Sequence, residues 1–279
     1  MKEKIYFHNI SRTLVSFCIF VLIGKLSGYL IYSVSSFRGT AADILQFIFS
    51  AACAILAFLL FESLIPSPAE GHTEKSVMNG RFRKRPFSMR RYILETIPYT
   101  IAVTALLIII MYLVSVTFEL ESSPIIGTEY QNLAVLEFFS MVIIHPLVEE
   151  YIFRGMYYGE LRSMSPIFAC LMQAVMFAIA HNGVGGMMYA LVAGILLGAA
   201  AERSNGIAVP TAAHMLINLR TFLYSGIFTP DTQLGIDIVM IIAGVLSAAV
   251  ILIVSKKLPS CQKAAKPSGE KREEANFED

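Results

Sequence analysis

The chain has 279 residues, of which 56% are hydrophobic and 15% are charged, and its formal net charge is +1. Its mean hydropathy is +0.63, whereas soluble globular proteins carry about 25% charged residues. This composition excludes an ordinary soluble domain. No nucleic-acid partner is expected, although the net charge itself says nothing about one. It indicates an all-α, polytopic protein of the lipid bilayer.

Eight apolar segments are candidate transmembrane helices, since ~30 Å of hydrocarbon needs about 20 residues of helix, although the sixth segment is short. They lie near 14–34, 42–65, 93–118, 133–160, 166–183, 187–202, 207–228 and 236–255. The first follows a mildly basic N-terminus without a convincing cleavage site, so we expect a retained helix rather than a signal peptide. Residues 1–257 are predicted to be one integral membrane domain. The polar, mixed-charge segment 258–279 is predicted to be a disordered cytoplasmic tail.

Basic residues mark one side of the membrane. The loop 66–92 carries Lys75, Arg81, Arg83, Lys84, Arg85, Arg90 and Arg91, and the opposite loops carry mainly acidic residues. Because short cytoplasmic loops are enriched in Lys and Arg, we expect this loop and both termini to face the cytoplasm. The compact chain and the absence of organelle signals favour a bacterial plasma membrane. The sequence does not indicate an oligomeric state.

Ionisable residues interrupt the fourth apolar segment at His145, Glu149, Glu150 and Arg154. A charge at mid-bilayer costs about 2.5 to 17 kcal/mol, so such residues are candidates for function. Lys25 also lies within an apolar segment. Its long side chain can reach the interface or pair with an acid, and we favour a structural role for it.

Two further segments carry polar groups at a similar predicted height. Glu149 and His181 flank the turn near residues 163–165 and would lie ~22–26 Å above it, at ~1.5 Å per residue. His214 and Asn218 would lie ~15–21 Å above the next turn on the same side. These four side chains are therefore predicted to share one polar layer, near the midplane or in the cytoplasmic half.

Local spacing separates the two glutamates. Glu150 and Arg154 are at i and i+4, which suits an ion pair on one helix face. Glu149 lies about 100° away round the helix and is left free for chemistry. His145 is on the Glu149 face, where it can pack, hydrogen-bond locally, tune Glu149 or act as an extra ligand; packing or local hydrogen bonding is the favoured interpretation.

This set of residues allows two ways of activating water. A carboxylate with a histidine can take a proton from water, and a second histidine with an amide can stabilise an oxyanion. Alternatively, Glu149, His181 and His214 could hold a divalent metal such as zinc. No serine or cysteine lies convincingly beside a histidine, which disfavours a covalent intermediate and favours direct hydrolysis of a peptide bond.

Three motifs in this order resemble the CAAX prenyl protease and bacteriocin-processing family of intramembrane endopeptidases. The motifs are Glu149-Glu150-x-x-x-Arg154, Phe177-x-x-x-His181 and His214-x-x-x-Asn218, within a motif-bearing core of about 133–220. The resemblance implies that Glu149 and His181 activate the water and that His214 and Asn218 form the oxyanion site. Glu150 and Arg154 would be supporting residues. The family has been described both as metal-dependent and as glutamate-dependent, and the sequence does not decide between them.

The leading hypothesis is therefore a membrane endopeptidase acting on a membrane-associated peptide or protein tail, either of the CAAX type or in peptide processing and bacteriocin immunity. One alternative is a non-catalytic immunity or scaffold protein. A proton-coupled transporter is less favoured, because no internal repeat is evident. Phe177 is expected to pack rather than to take part in chemistry.

Overall fold

The computed structural model describes residues 2–34, 40–66, 92–117, 134–224 and 229–257, and these residues form eight continuous helices without a strand. Helix α1 is Lys2–Val34 and α2 is Thr40–Leu64. Helix α3 begins with a π-helical turn, Tyr92–Thr96, and continues as Ile97–Thr117. Helix α4 runs from Ala134 to Leu161 in several stretches given below. Helices α5 to α8 are Pro166–Ile179, Val184–Ser204, Ala208–Tyr224 and Pro230–Lys257.

Five of these helices are long and apolar enough to cross a membrane. Their apolar parts are Glu3–Ile31, Ala41–Leu64, Ile97–Thr117, Val184–Ser204 and Asp231–Ile253. Helix α5 is apolar but has only 14 residues, whereas α4 and α7 carry the polar motif residues. The predicted all-α, polytopic membrane fold is confirmed. The tail 258–279 and the basic part of the loop, 67–91, lie outside the described residues.

Several helix ends differ from the predicted spans, and the contacts or the backbone explain two of the differences. Helix α1 begins at Lys2 rather than near residue 14, because its polar first turns have partners on α2. Arg12 is buried, and it donates from Nε to the Phe58 carbonyl and pairs with Glu62 through Nη1, at 2.8 Å in both cases. Helix α5 ends at Ile179 rather than 183, and Gly183 follows with φ of 70°, a conformation that glycine adopts without strain.

Helices α4 to α7 form the centre of the molecule, with one helix pair on each side. Helices α1 and α2 pack together and against α4, while α3 and α8 pack together and α3 contacts α6 and α7. The α1–α2 side is joined to the centre by an aromatic cluster that includes Phe20, Phe58, Phe153, Tyr157 and Phe177. The motif residues therefore lie on helices that are enclosed on both sides.

Helices α5 and α6 approach each other very closely. A Cβ atom added to Gly194 would lie only 2.9 Å from the Ala174 Cα, so only glycine fits there without a shift. The buried Gln173 side chain donates to the Gly194 carbonyl at 2.7 Å across the same contact. Small residues let membrane helices approach at backbone distance, and this contact fixes the helix that ends two residues before His181. Lys25 is exposed on α1 and takes no part in this central group.

Candidate active site

Helix α4 changes its winding at the motif. A short α-helical stretch, His145–Glu149, is preceded by the π-helical Phe139–Ile144 and followed by the π-helical Glu150–Tyr158. Pro146 lies at the start of the α-helical stretch and has no N–H to donate to the preceding turn, which disfavours an uninterrupted α-helical ladder. π-helical turns inside α-helices are frequent at functional sites.

The first π-helical stretch offers two backbone carbonyls to polar side chains. Nδ1 of His145 donates to the Ser140 carbonyl at 2.9 Å. Nδ2 of Asn218, on α7, donates to the Met141 carbonyl at 2.9 Å. Adjacent carbonyls of one turn thus orient a histidine of α4 and the motif asparagine of α7.

A chain of charge-assisted contacts joins the first and third motifs. Nη1 of Arg154 donates to Oε1 of Glu150 at 2.7 Å, and Nδ1 of His214 lies 2.9 Å from the same oxygen. Arg154 and Glu150 are fully buried, and His214 is buried as well. The predicted Glu150–Arg154 pair is present, but Glu150 also contacts His214, which the sequence analysis did not predict.

The buried pair is only partly satisfied. Oε2 of Glu150 and the Nε and Nη2 atoms of Arg154 have no hydrogen-bond partner within the described part of the chain. The guanidinium lies over the Phe177 ring, with Cζ 4.4 Å from the ring centroid. Leaving buried polar groups without partners is costly, so the site is held at some expense in stability.

Glu149 is separated from this pair, as its position on the helix predicted. Its side chain keeps 15% of its surface exposed, and Oε2 lies 3.7 Å from Nε2 of His214. That gap is longer than a hydrogen bond. One oxygen atom placed beside it could therefore contact both the carboxylate and the imidazole.

Phe177 links the two motif histidines. Its ring centroid lies 4.6 Å from that of His181 and 5.9 Å from that of His214. Together with its contact to Arg154, this places Phe177 inside the site, so its packing role has a direct effect on the position of three polar groups. The prediction that it packs is met, but sequence spacing gave no sign that it packs between the histidines.

The orientation of His181 is set by the last turn of α5, which it follows. Its Nδ1 lies 2.7 Å from the Phe177 carbonyl, which can only accept, so Nδ1 carries the hydrogen. In the neutral ring Nε2 then has the free lone pair, as a group that receives or orients a water proton requires. No hydrogen bond joins His181 to Glu149 among the described residues, and the predicted sharing of one water stays a prediction.

The metal centre of Glu149, His181 and His214 that the sequence allows stays a prediction. Within the described ranges, no three His, Cys, Asp or Glu side chains are grouped closely enough to hold a metal ion. Nδ1 of each histidine is engaged by a carbonyl or by Glu150. These contacts leave Nε2 of each ring as the nitrogen that a metal ion would bind, with a carbonyl or a carboxylate behind the histidine.

The fold and the site define a polytopic helical membrane protein with a buried carboxylate, arginine and histidine cluster. Residues 131–220, about a third of the chain, match the family model of the type II CAAX prenyl endopeptidases, Rce1-like. The predicted resemblance is confirmed, and the match covers all three motifs.

A curated relative is the same kind of protein as the family model describes. The chain is 34% identical to the membrane-embedded CAAX protease MroQ of Staphylococcus aureus (strain USA300) over 87 residues, 29% of this chain and 35% of the relative. The chain thus spans about a third of the length of the relative that it matches. No solved structure matches the chain.

Proposed function

We propose that the chain is an intramembrane endopeptidase that hydrolyses a peptide bond by attack of an activated water. The contact that carries this proposal is the 3.7 Å approach of the Glu149 carboxylate to Nε2 of His214, whose other nitrogen is bound by Glu150. The proposal is supported because the Glu149 carboxylate lies beside the His214 imidazole, which Glu150 orients. The family match of residues 131–220 supports the same reaction class.

In the proposed reaction Glu149 takes a proton from water while Nε2 of His181 accepts the other water hydrogen and orients the molecule. The oxygen attacks the carbonyl carbon of the substrate and forms a tetrahedral oxyanion. The C–N bond then breaks, and the proton held by Glu149 passes to the leaving amine. A positioned general base of this kind contributes about 10²- to 10⁴-fold to the rate.

His214 and Asn218 are the proposed oxyanion donors. Since Nδ1 of His214 is engaged by Glu150, donation to the oxyanion requires a hydrogen on Nε2 as well. Asn218 uses one N–H on the Met141 carbonyl and keeps a second for the oxyanion. Arg154 balances the charge of Glu150, so both are supporting groups that hold His214 rather than contact the substrate.

The proposed substrate is a membrane-associated peptide or protein tail, in keeping with the family of the matched segment. We propose to compare two candidate roles for the enzyme. One is CAAX-type processing, and the other is peptide processing linked to bacteriocin immunity. We also propose a multi-pass location in a bacterial plasma membrane, with both termini in the cytoplasm. This topology rests on the basic loop, and it places the site within reach of cytoplasmic tails.

The test uses the full chain in lipid nanodiscs with two quenched fluorescent peptides. One peptide ends in a farnesylated CAAX tail, and the other has an unprenylated transmembrane anchor. Glu149→Gln is expected to lower turnover at least about 10²-fold without loss of folding. Glu137→Gln, on the same helix but outside the site, is the matched control and should leave turnover unchanged. Near wild-type turnover in Glu149→Gln would refute the assignment, and no turnover of either peptide by the wild type would favour the non-catalytic immunity role.

A further inference from the structure

His145 is a histidine of α4 that the proposed reaction does not use. It is half-buried, and it lies four residues before Glu149 on the same helix. It is outside the three motifs that define the resemblance. Its contacts show that the ring is held in one orientation.

Two contacts fix the ring of His145. Its Nδ1 lies 2.9 Å from the carbonyl oxygen and 3.2 Å from the hydroxyl of Ser140, which is buried. The ring is stacked on Phe47 of α2, with 4.0 Å between centroids and 26° between planes. Phe47 in turn packs against the aromatic cluster that contains Phe153 and Phe177.

These contacts decide which ring nitrogen is available. A backbone carbonyl only accepts, so the hydrogen of the neutral ring is on Nδ1 and the lone pair is on Nε2. Nε2 has no hydrogen-bond partner in the part of the chain that the structure describes. A ring fixed on one edge and one face, with the remaining nitrogen free to accept, is preorganised to bind a donor.

The position of this acceptor suits a peptide. Four residues of helix separate His145 from Glu149, a rise of about 6 Å. An extended peptide advances about 3.3 Å per residue, so a substrate lying along α4 would present a backbone N–H near His145 about two residues from the scissile bond. Asn218 is anchored on the carbonyl next to the one that anchors His145, so both side chains border the same end of the site.

We propose that His145 is a substrate-binding residue, whose Nε2 accepts a backbone N–H of the peptide about two residues from the scissile bond. The proposal rests on the endopeptidase function proposed above. It gives the site a contact with the peptide main chain that is independent of side-chain identity. His145 then positions the substrate and takes no part in proton transfer.

Two substitutions of His145 distinguish the role of Nδ1 from that of Nε2. His145→Asn keeps a donor near the Nδ1 position for Ser140 but removes the acceptor at Nε2. His145→Gln places an amide near the Nε2 position instead. One neutral hydrogen bond corresponds to about a tenfold change, so His145→Asn should raise KM about tenfold with little change in kcat. His145→Gln should recover most of that loss, which a purely structural role would not predict.

The decisive experiment changes the peptide rather than the protein. In a series of the quenched farnesylated peptide, each backbone amide near the scissile bond is replaced in turn by an ester, which removes one N–H. Wild-type enzyme should lose about tenfold in kcat/KM at one position, and His145→Asn should show no further loss at that position. Equal losses in both proteins at every position, or none in the wild type, would overturn the proposal.

Binding keeps this test independent of turnover. The same peptides, carrying a fluorophore, are titrated by anisotropy against Glu149→Gln and against Glu149→Gln combined with His145→Asn, both in nanodiscs. A tenfold loss of affinity for one ester, seen only when His145 is present, supports the proposal even if the wild type cleaves nothing. If turnover depends on Glu149 but no ester changes the binding affinity, the endopeptidase function stands and the role of His145 is refuted.

Discussion

Replacing Arg154 by methionine should destabilise the protein, because it leaves a buried carboxylate behind. Arg154 and Glu150 are both fully buried, and their 2.7 Å contact is the shortest that either makes at the site. Removing one partner of a buried pair typically costs ~3–5 kcal/mol. His214 still contacts Glu150 at 2.9 Å and compensates part of that loss, so we expect about 3 kcal/mol.

The assay is thermal unfolding in detergent. At about 2–4 °C per kcal/mol for a chain of this size, Arg154→Met should lower Tm by about 10 °C. The double variant Arg154→Met with Glu150→Gln removes both charges and should recover part of the loss, since apolar replacement of a whole buried pair is often nearly neutral. Arg203→Met, at an exposed arginine of α6, is the matched control and should change Tm little.

The outcomes separate two roles for the arginine. An unchanged Tm in Arg154→Met together with lost turnover would refute the reasoning and place Arg154 in contact with the substrate. A Tm that falls equally in the single and double variants would show that the guanidinium stabilises through its packing on Phe177 rather than through the charge of Glu150.

Three further predictions follow from other parts of the molecule. Gly194→Ala should destabilise the folded protein by about 1–3 kcal/mol, since its Cβ would lie 2.9 Å from the Ala174 Cα. A Cβ at Gly235 would have nothing within 4 Å, so the control Gly235→Ala should unfold at or above the wild-type temperature. Because the proposed reaction uses the Glu149 carboxylate as the base, turnover should persist after dialysis against a zinc chelator. Loss of turnover that added zinc restores would instead favour the metal-dependent alternative with Glu149, His181 and His214 as ligands. A cysteine introduced at Ser76 in the basic loop should react with a membrane-impermeant maleimide only after cells are opened, and efficient labelling of intact cells would reverse the proposed topology.

The helical framework was largely predictable because hydropathy reports a property of each segment alone. Eight apolar segments correspond to eight helices, and the spacing of Glu150 and Arg154 gave their ion pair. The end of α5 was placed too late, because Ala180 and His181 continue the apolar pattern although the backbone turns before Gly183. The pattern of apolar residues does not show at which residue a helix ends.

The connections between motifs were less predictable, since they depend on how helices rotate against each other. Heights above the turns placed Glu149, His181, His214 and Asn218 in one layer. The i, i+4 spacing assigned Glu150 to Arg154 alone. The structure shows Glu150 bound to both. The position of Phe177 between two histidines likewise depends on the packing of α4, α5 and α7, which no single segment encodes.

The winding change in α4 makes the π-helical stretch before His145 sensitive to the number of its residues. The stretch Phe139–Ile144 accommodates more residues per turn than an α-helix does. Deleting one residue there would let the ladder close as an ordinary α-helix and would rotate everything on its N-terminal side by about 100° relative to Glu149. The Met141 carbonyl would then no longer face Asn218. In a scan of single-residue deletions, each deletion within this segment should therefore be damaging. Substitution of Phe139, whose side chain is exposed, should be tolerated.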